Sequence, residues 1–321
     1  MSRSVRAALL GIVACALAHP AAAQNSECAG YGGQAGNVCN AAVEGTRLLY
    51  PAAGILLGGG QPLLGPAAGL GPFPRFGLML RVNAAEVQLP SLDYDGSTPT
   101  VPAGESVVVP APLLEGELGL WDGLSSGLLR TSLLLSVQFL PTGQVDNFAV
   151  DPDATSIGDA ALGFGYGLRV GILDAFFPVP NLGVSVMRRT IPDVRYGDLA
   201  EPDQDYEFTA GMAALNLRAS ADWRFAGFQL AGGLGYDRYS GDATAQFRDP
   251  ISGLPEPAIA LDVEETRWLA YLDFGLNLGP GRLGLEVGWQ FAEDQEFTSD
   301  FEEIDEDAGR VFGGLAFGLS F

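Results

Sequence analysis

Residues 309–321 read Gly309-Arg310-Val311-Phe312-Gly313-Gly314-Leu315-Ala316-Phe317-Gly318-Leu319-Ser320-Phe321. Val311, Leu315, Phe317, Leu319 and Phe321 fall on odd positions, with Gly314, Ala316, Gly318 and Ser320 between them. Extended backbone sends alternate side chains to opposite faces. One face of this segment is oily and ends in an aromatic ring; the other is small or polar. Such a strand needs an apolar medium on one side and a tighter or wetter space on the other.

The same alternation recurs upstream. Apolar residues on one parity run through Phe76–Ala84, Leu114–Leu120, Leu133–Phe139, Leu162–Val170, Leu182–Val186, Tyr206–Trp223, Phe228–Tyr236, Trp268–Leu278 and Leu283–Phe291. With the terminal segment this predicts an all-β chain, a transmembrane antiparallel up-and-down β-barrel of about ten strands, with twelve as the alternative. In 206–223 the apolar parity slips near Ala213-Ala214, which predicts a β-bulge there. Connections alternate strictly in length. Residues 122–126, 173–180, 224–227 and 279–281 are short; 90–110, 141–158, 191–205, 239–262 and 292–308 are long. Short periplasmic turns and long outer loops produce that alternation, and an even strand count then puts both chain ends on the short-turn side.

The chain divides into three parts. Residues 1–23 read as a signal peptide: Arg3 and Arg6, an apolar run too short to span a bilayer, and Ala21-Ala22-Ala23 as a cleavage site. Ile12-Val13-Ala14-Cys15 offers a rival lipoprotein signal. Residues 24–74 are rich in Gly, Pro and Ala and too apolar for a solvated tail. They are expected at the periplasmic mouth or in the lumen as a plug, with a short helix over 41–49 interrupted at Pro51, or as two further strands. Residues 75–321 form the barrel. Cys28 and Cys39, in an oxidising compartment, are expected to pair as a disulfide; two thiols without histidine make a poor metal set.

The chain holds 39 acidic residues against 17 basic ones, all arginine, for a net charge of −22, yet mean hydropathy is +0.19. That balance excludes nucleic acid, whose affinity rests on basic contacts. The lone histidine, His19, lies in the leader. Membrane-barrel hydrolases that use histidine as general base are therefore disfavoured, and no catalytic residue, cofactor or metal site is expected. On the strand register, Arg81, Glu115, Glu117, Arg130, Arg169, Arg218, Asp222, Asp237, Arg267, Asp273, Arg282 and Glu286 point inward. They form either an ionic core or a charge-lined path for small solutes. Trp223, Tyr236, Trp268, Trp289, Phe291 and Phe321, with Tyr239, fall near strand ends and predict two aromatic girdles. Glu293, Asp294, Glu296, Asp300, Glu302, Glu303, Asp305, Glu306 and Asp307 crowd one loop, where divalent cations could bridge carboxylates to anionic lipid.

The leader, the amphipathic strands from Phe76 to Phe321 and the terminal aromatic together resemble Gram-negative outer-membrane β-barrel proteins. The resemblance implies bacterial outer-membrane localisation, outer-membrane lipid as surroundings and a barrel-assembly machinery that recognises the C-terminal strand. The expected function is non-enzymatic, a narrow channel for small solutes or a surface-structural protein. The alternatives are an uptake barrel for hydrophobic molecules gated by residues 24–74, and an outer-membrane hydrolase.

Overall fold

The computed structural model describes residues 26–65, 67–104, 106–124, 128–142, 147–174, 178–292, 297–304 and 309–321. The leader, with both of its cleavage readings, lies outside these residues. Ten strands form the wall: β1 (Phe76–Val87), β2 (Val107–Trp121), β3 (Arg130–Pro141), β4 (Ala160–Leu173), β5 (Asn181–Tyr196), β6 (Tyr206–Phe225), β7 (Phe228–Phe247), β8 (Ile259–Leu278), β9 (Gly281–Gln290) and β10 (Arg310–Ser320). Each pairs antiparallel with the next, and β10 pairs with β1, so the ring is closed. Hydrocarbon offers no partner to a free backbone group, so a sheet can cross it only when closed. The seam ends with Phe76 and Phe321 exchanging N–H···O bonds of 3.1 and 2.9 Å and stacking their rings 5.1 Å apart. Two short strands, Phe148–Val150 and Ser156–Ile157, prolong the outer edges of β5 and β4. The twelve-strand alternative fails, because the described residues before Phe76 contribute no wall strand.

The outward face carries the apolar set. Leu78, Leu80, Leu135, Phe164, Leu217, Leu230, Leu272, Leu285, Leu315 and Phe317 are all exposed around the ring. A water-soluble protein does not display such a continuous surface; a bilayer-spanning one requires it. The belt ends on its long-loop side at Tyr236, whose ring lies 5.0 Å from that of Trp268, and immediately beyond it the exposed Arg238–Glu264 pair (2.7 Å) marks water.

β6, β7 and β8 are 20 residues each, about twice the 9–11 a bilayer needs. Their outer halves stand clear of the membrane, where the pattern inverts. Beyond the rim the outward residues of β7 are Arg238, Ser240, Asp242, Thr244 and Gln246, while Tyr239, Ala243, Ala245 and Phe247 are buried inside. Tyr206, Phe208, Ala210 and Met212 of β6 are likewise inward, and Leu215 and Leu217 outward. The expected bulge at Ala213-Ala214 is therefore absent: β6 keeps one phase throughout, and the oily parity changes because the outside changes from water to lipid. The irregularity sits next door, where the β5–β6 register shifts between Ile191 and Val194, around Pro192. The same inversion shortens the loop expected over 239–262 to the residues between Phe247 and Ile259.

The space inside is filled by the N-terminal segment. Helix α1 (Gly33–Gly58) runs through Pro51 without the interruption expected there. At 1.5 Å per residue its 26 residues span about 39 Å. Packing on all sides supplies the support that propensity withholds: Val38, Val43, Leu48, Tyr50 and Ile55 are buried, against Phe208, Tyr239, Phe247, Leu261 and Leu269 of the wall. Gly54 faces the Tyr239 ring so closely that any side chain would collide with it. The helix start lies at the outer loops. The Tyr31 ring packs 4.9 Å from Phe247, Asn37 donates to the Gly96 carbonyl at 2.9 Å, and the Glu44 carboxylate accepts from the N–H groups of Thr298 (2.5 Å) and Ser299 (3.0 Å). The Cys28–Cys39 disulfide forms, with Cα atoms 5.8 Å apart. The described N-terminal residues thus lie on the long-loop side, opposite Phe321, and not on the short-turn side where both ends were expected.

The inversion has a direct test. Leu285→Arg, in mid-belt, is expected to destabilise by about 2–4 kcal/mol, whereas Thr244→Arg, equally outward but past the rim, changes stability by less than about 1 kcal/mol. Equilibrium denaturation in phospholipid vesicles, followed by tryptophan fluorescence, measures both.

Candidate functional site

Past Gly58 the chain leaves the helix and descends through the barrel to Arg75, lying against a ring of wall charges. The two elements are bonded through the descending backbone. Arg81 donates Nη1 to the Gln61 carbonyl (2.7 Å) and pairs with Glu286, whose two oxygens accept the N–H groups of Gly60 and Gln61, each at 2.8 Å. Arg218 forks onto Asp237, with Nη2–Oδ2 at 3.0 Å, and donates to the carbonyls of Gly60 (Nε, 2.6 Å) and Gly59 (Nη2, 2.8 Å). Glu115 accepts from Leu63 N–H at 2.8 Å and pairs with Arg189 at 3.1 Å. Arg169 pairs with Glu117 at 2.9 Å and donates to the Pro62 carbonyl. Asp222 accepts from Ala67 N–H at 2.6 Å and from the Asn181 amide at 2.9 Å.

Each of these wall charges is at most 3% exposed. A buried ion is costly unless paired and fully hydrogen-bonded. Here the wall supplies the counter-ions and the segment from Gly59 to Ala67 supplies many of the remaining donors and acceptors. Glycine makes the close approach possible. A side chain on Gly183 would run into the Ala67 carbonyl, and one on Gly171 into Ala68.

All twelve charged residues expected to face the lumen do so, with different environments. Arg81, Glu115, Glu117, Arg169, Arg218, Asp222, Asp237 and Glu286 form the clamp. Arg130 sits at the short-turn mouth, paired with Asp122 (3.1 Å) and Asp174. Arg282 lines the cavity beside it. Arg267 lies toward the outer side, 3.4 Å from Glu265. Asp273 stands directly across the β8–β9 pair from Glu286, 2% exposed, so that two buried carboxyl groups face each other.

Arg189 was missing from the sequence reading, which ended that strand at Val186. Extending the same alternation by three residues would have placed it inward. Its room comes from Gly165 on β4, where a side chain would strike Arg189 and Ser136. Trp223, Tyr236, Trp268, Trp289, Phe291 and Phe321 lie on the outward parity, Trp223 and Phe321 at the short-turn rim and the others at the outer rim. Tyr239 belongs to neither girdle: it is fully buried inside and donates to Asp237 at 2.9 Å. Of the acidic loop, Glu293, Asp294, Glu296, Asp305, Glu306 and Asp307 lie outside the described residues.

Two cavities flank the clamp. On the short-turn side is one of about 340 Å³, bordered by Arg75, Arg130, Arg224, Arg282 and Glu117. On the outer side is one of about 390 Å³, bordered almost wholly by apolar side chains. Among the described residues no helix is long and apolar enough to cross a membrane.

No family model and no curated protein matches this chain. Solved structures similar to it include the outer membrane protease OmpT from Escherichia coli (10% identity, TM-score 0.40, covering 77% of this chain and 97% of that one). The translocator domain of the autotransporter NalP from Neisseria meningitidis matches at 13% identity with TM-score 0.40, covering 87% and 95%. The CymD monoaromatic hydrocarbon channel matches at 12% identity with TM-score 0.30, covering 85% and 97%. The β-barrel architecture of this chain rests on its own closed ring of ten antiparallel strands, and its membrane placement on its own outward belt.

The unequal charge environments predict unequal mutants. Glu286→Gln leaves Arg81 only the more distant Glu115 carboxylate, 3.9 Å away, and is expected to cost about 3–5 kcal/mol, because the nearer half of a buried pair is removed. Asp273→Asn relieves the apposition of two buried carboxyl groups and is expected to be neutral or stabilising. The urea midpoint of the mobility shift between folded and boiled protein compares the two.

Proposed function

We propose that the protein is a non-enzymatic outer-membrane barrel that is shut at rest and passes solute only when its N-terminal segment shifts. The observation that carries this reading is the row of bonds from Gly59, Gly60, Gln61, Pro62, Leu63 and Ala67 to the clamp, which places this stretch in the lumen between the two cavities. A permanently open channel for small solutes fits poorly with a lumen so filled. A purely structural wall protein has no need of cavities on both sides of its plug. The absence of histidine beyond His19 supports the non-enzymatic part of the reading.

The ionic clamp also supplies a release mechanism. Charged pairs bonded to backbone can exchange partners for water or solute one at a time, whereas a dry apolar seal opens only as a whole. The upper part of α1, stapled by Cys28–Cys39 and packed on aromatic rings, is the fixed end; the glycine-rich stretch Gly58–Gly60 is the natural hinge.

Planar-bilayer recording tests the gate. The intact protein is expected to be silent or to flicker briefly. Asp237→Asn, which frees Arg218 from its fork, is expected to raise open probability at least tenfold. Steady conductance of the intact protein, equal to that of the variant, would refute the reading.

A further inference from the structure

The outer cavity adjoins a break in the wall. β2 and β3 pair only up to Leu113 and Gln138. Beyond that level Val107–Pro112 bonds β1 alone, and Phe139, Leu140 and Pro141 bond β4 alone. The β1–β2 ladder continues unbroken through Pro110 and Pro112, so both proline nitrogens, which carry no hydrogen, must face the β3 side. Proline is confined to sheet edges for this reason. At these two positions β2 offers β3 no donor, and the wall is notched.

The notch lies at the outer rim of the lipid belt. Pro112 stands opposite Val82 and Pro110 opposite Ala84 on the outward parity of β1, one step below the outward Glu86. The flanking outward residues on the far side are Phe139 and its neighbour Leu162. Behind the notch, Leu49 and Leu56 of α1, with Val109, Ile191 and Met212, border the cavity of about 390 Å³. Among the described residues, Gln138 is the one lining residue with a polar side chain, and none with a charged side chain lines the cavity. A charged ligand would be desolvated there without a counter-ion. The volume falls in the range of small-molecule sites, roughly 300–1,000 Å³.

We propose that this chamber is a binding site for an uncharged apolar molecule, admitted sideways from the outer leaflet through the notch between β2 and β3. The inference rests on the gated reading only for what happens after binding. The chamber, its lining and its lateral opening lie on the outer side of the clamp, and occupancy is measured without conductance.

The test uses the full-length folded protein and the fluorescent apolar probe N-phenyl-1-naphthylamine. Saturable binding is expected, weakened at least tenfold by Ala111→Phe on the wall and, independently, by Ala53→Phe on α1. The heat-dependent mobility shift reports that each variant folds, and two fillers on different elements keep the test usable if one does not. Pro110→Val with Pro112→Val restores the missing donors, lets β2 close on β3, and is expected to slow probe association at least tenfold by stopped flow.

In vesicles containing a phospholipid with a diazirine at its acyl terminus, photolysis distinguishes two sources of the same chemistry. Cross-links on inward Val109 and Met212, as well as on outward Leu285, identify an acyl chain as occupant; saturable probe binding without inward cross-links identifies a free apolar solute. Non-saturable probe binding, or an affinity in both folded filler variants equal to that of the intact protein, overturns the site. An unchanged association rate in the double proline variant overturns lateral access.

Discussion

Buried charge must be paired, and this barrel distributes the pairing between two pieces of chain. Arg81, Arg218, Glu115, Glu286 and Asp222 each bond a wall partner and the backbone of the descending segment. Neither piece is self-sufficient. Without the segment, the ring would leave buried acceptors and donors unmet; without the ring, a glycine-rich strand with little regular structure would have nothing to hold it. The net value of such a network is small beside the cost of leaving it half-made, which is why it fixes one arrangement rather than merely adding stability.

The interior is layered to match the outside. In the membrane, the wall is apolar outward and the inside bears the charges. Above the rim, water takes the outer face and the oily side chains turn in to enclose α1. β6, β7 and β8 pass from one regime to the other without breaking phase, so a single sheet serves two solvents. The outer cavity sits where the regimes meet, which explains how it can be apolar inside and still lie close to the lipid face.

Much of this was legible in the sequence. The ten strands, their order, the inward charges and the Cys28–Cys39 pair all follow from period-2 alternation and from compartment chemistry. The errors share a cause. Reading oiliness as outward holds only where the outside is lipid, so the parity switch in β6 looked like a bulge and Tyr239 looked like a girdle residue. The outer halves of β7 and β8 looked like loop because Asp242, Thr244 and Glu264 are polar on the face that meets water. α1 was truncated at Pro51 because a proline in an isolated helix is disruptive, whereas this helix is enclosed by the wall. The clamp's partners were out of reach, because half of them are carbonyls and N–H groups that composition does not record. The notch was written in Pro110 and Pro112, and only the pairing of both neighbours made them meaningful.

The seam between β1 and β10 bears on the order of assembly. The described residues before Phe76 run through the bore from the outer mouth to the short-turn side, and their outer end carries a disulfide-closed loop and a helix packed among aromatic rings. A cylinder already joined would have to draw that stapled knot through a constriction of paired ions. Docking the last strand on the first after the bore is occupied avoids that passage, which casts the N-terminal segment as a mandrel around which the wall is wound.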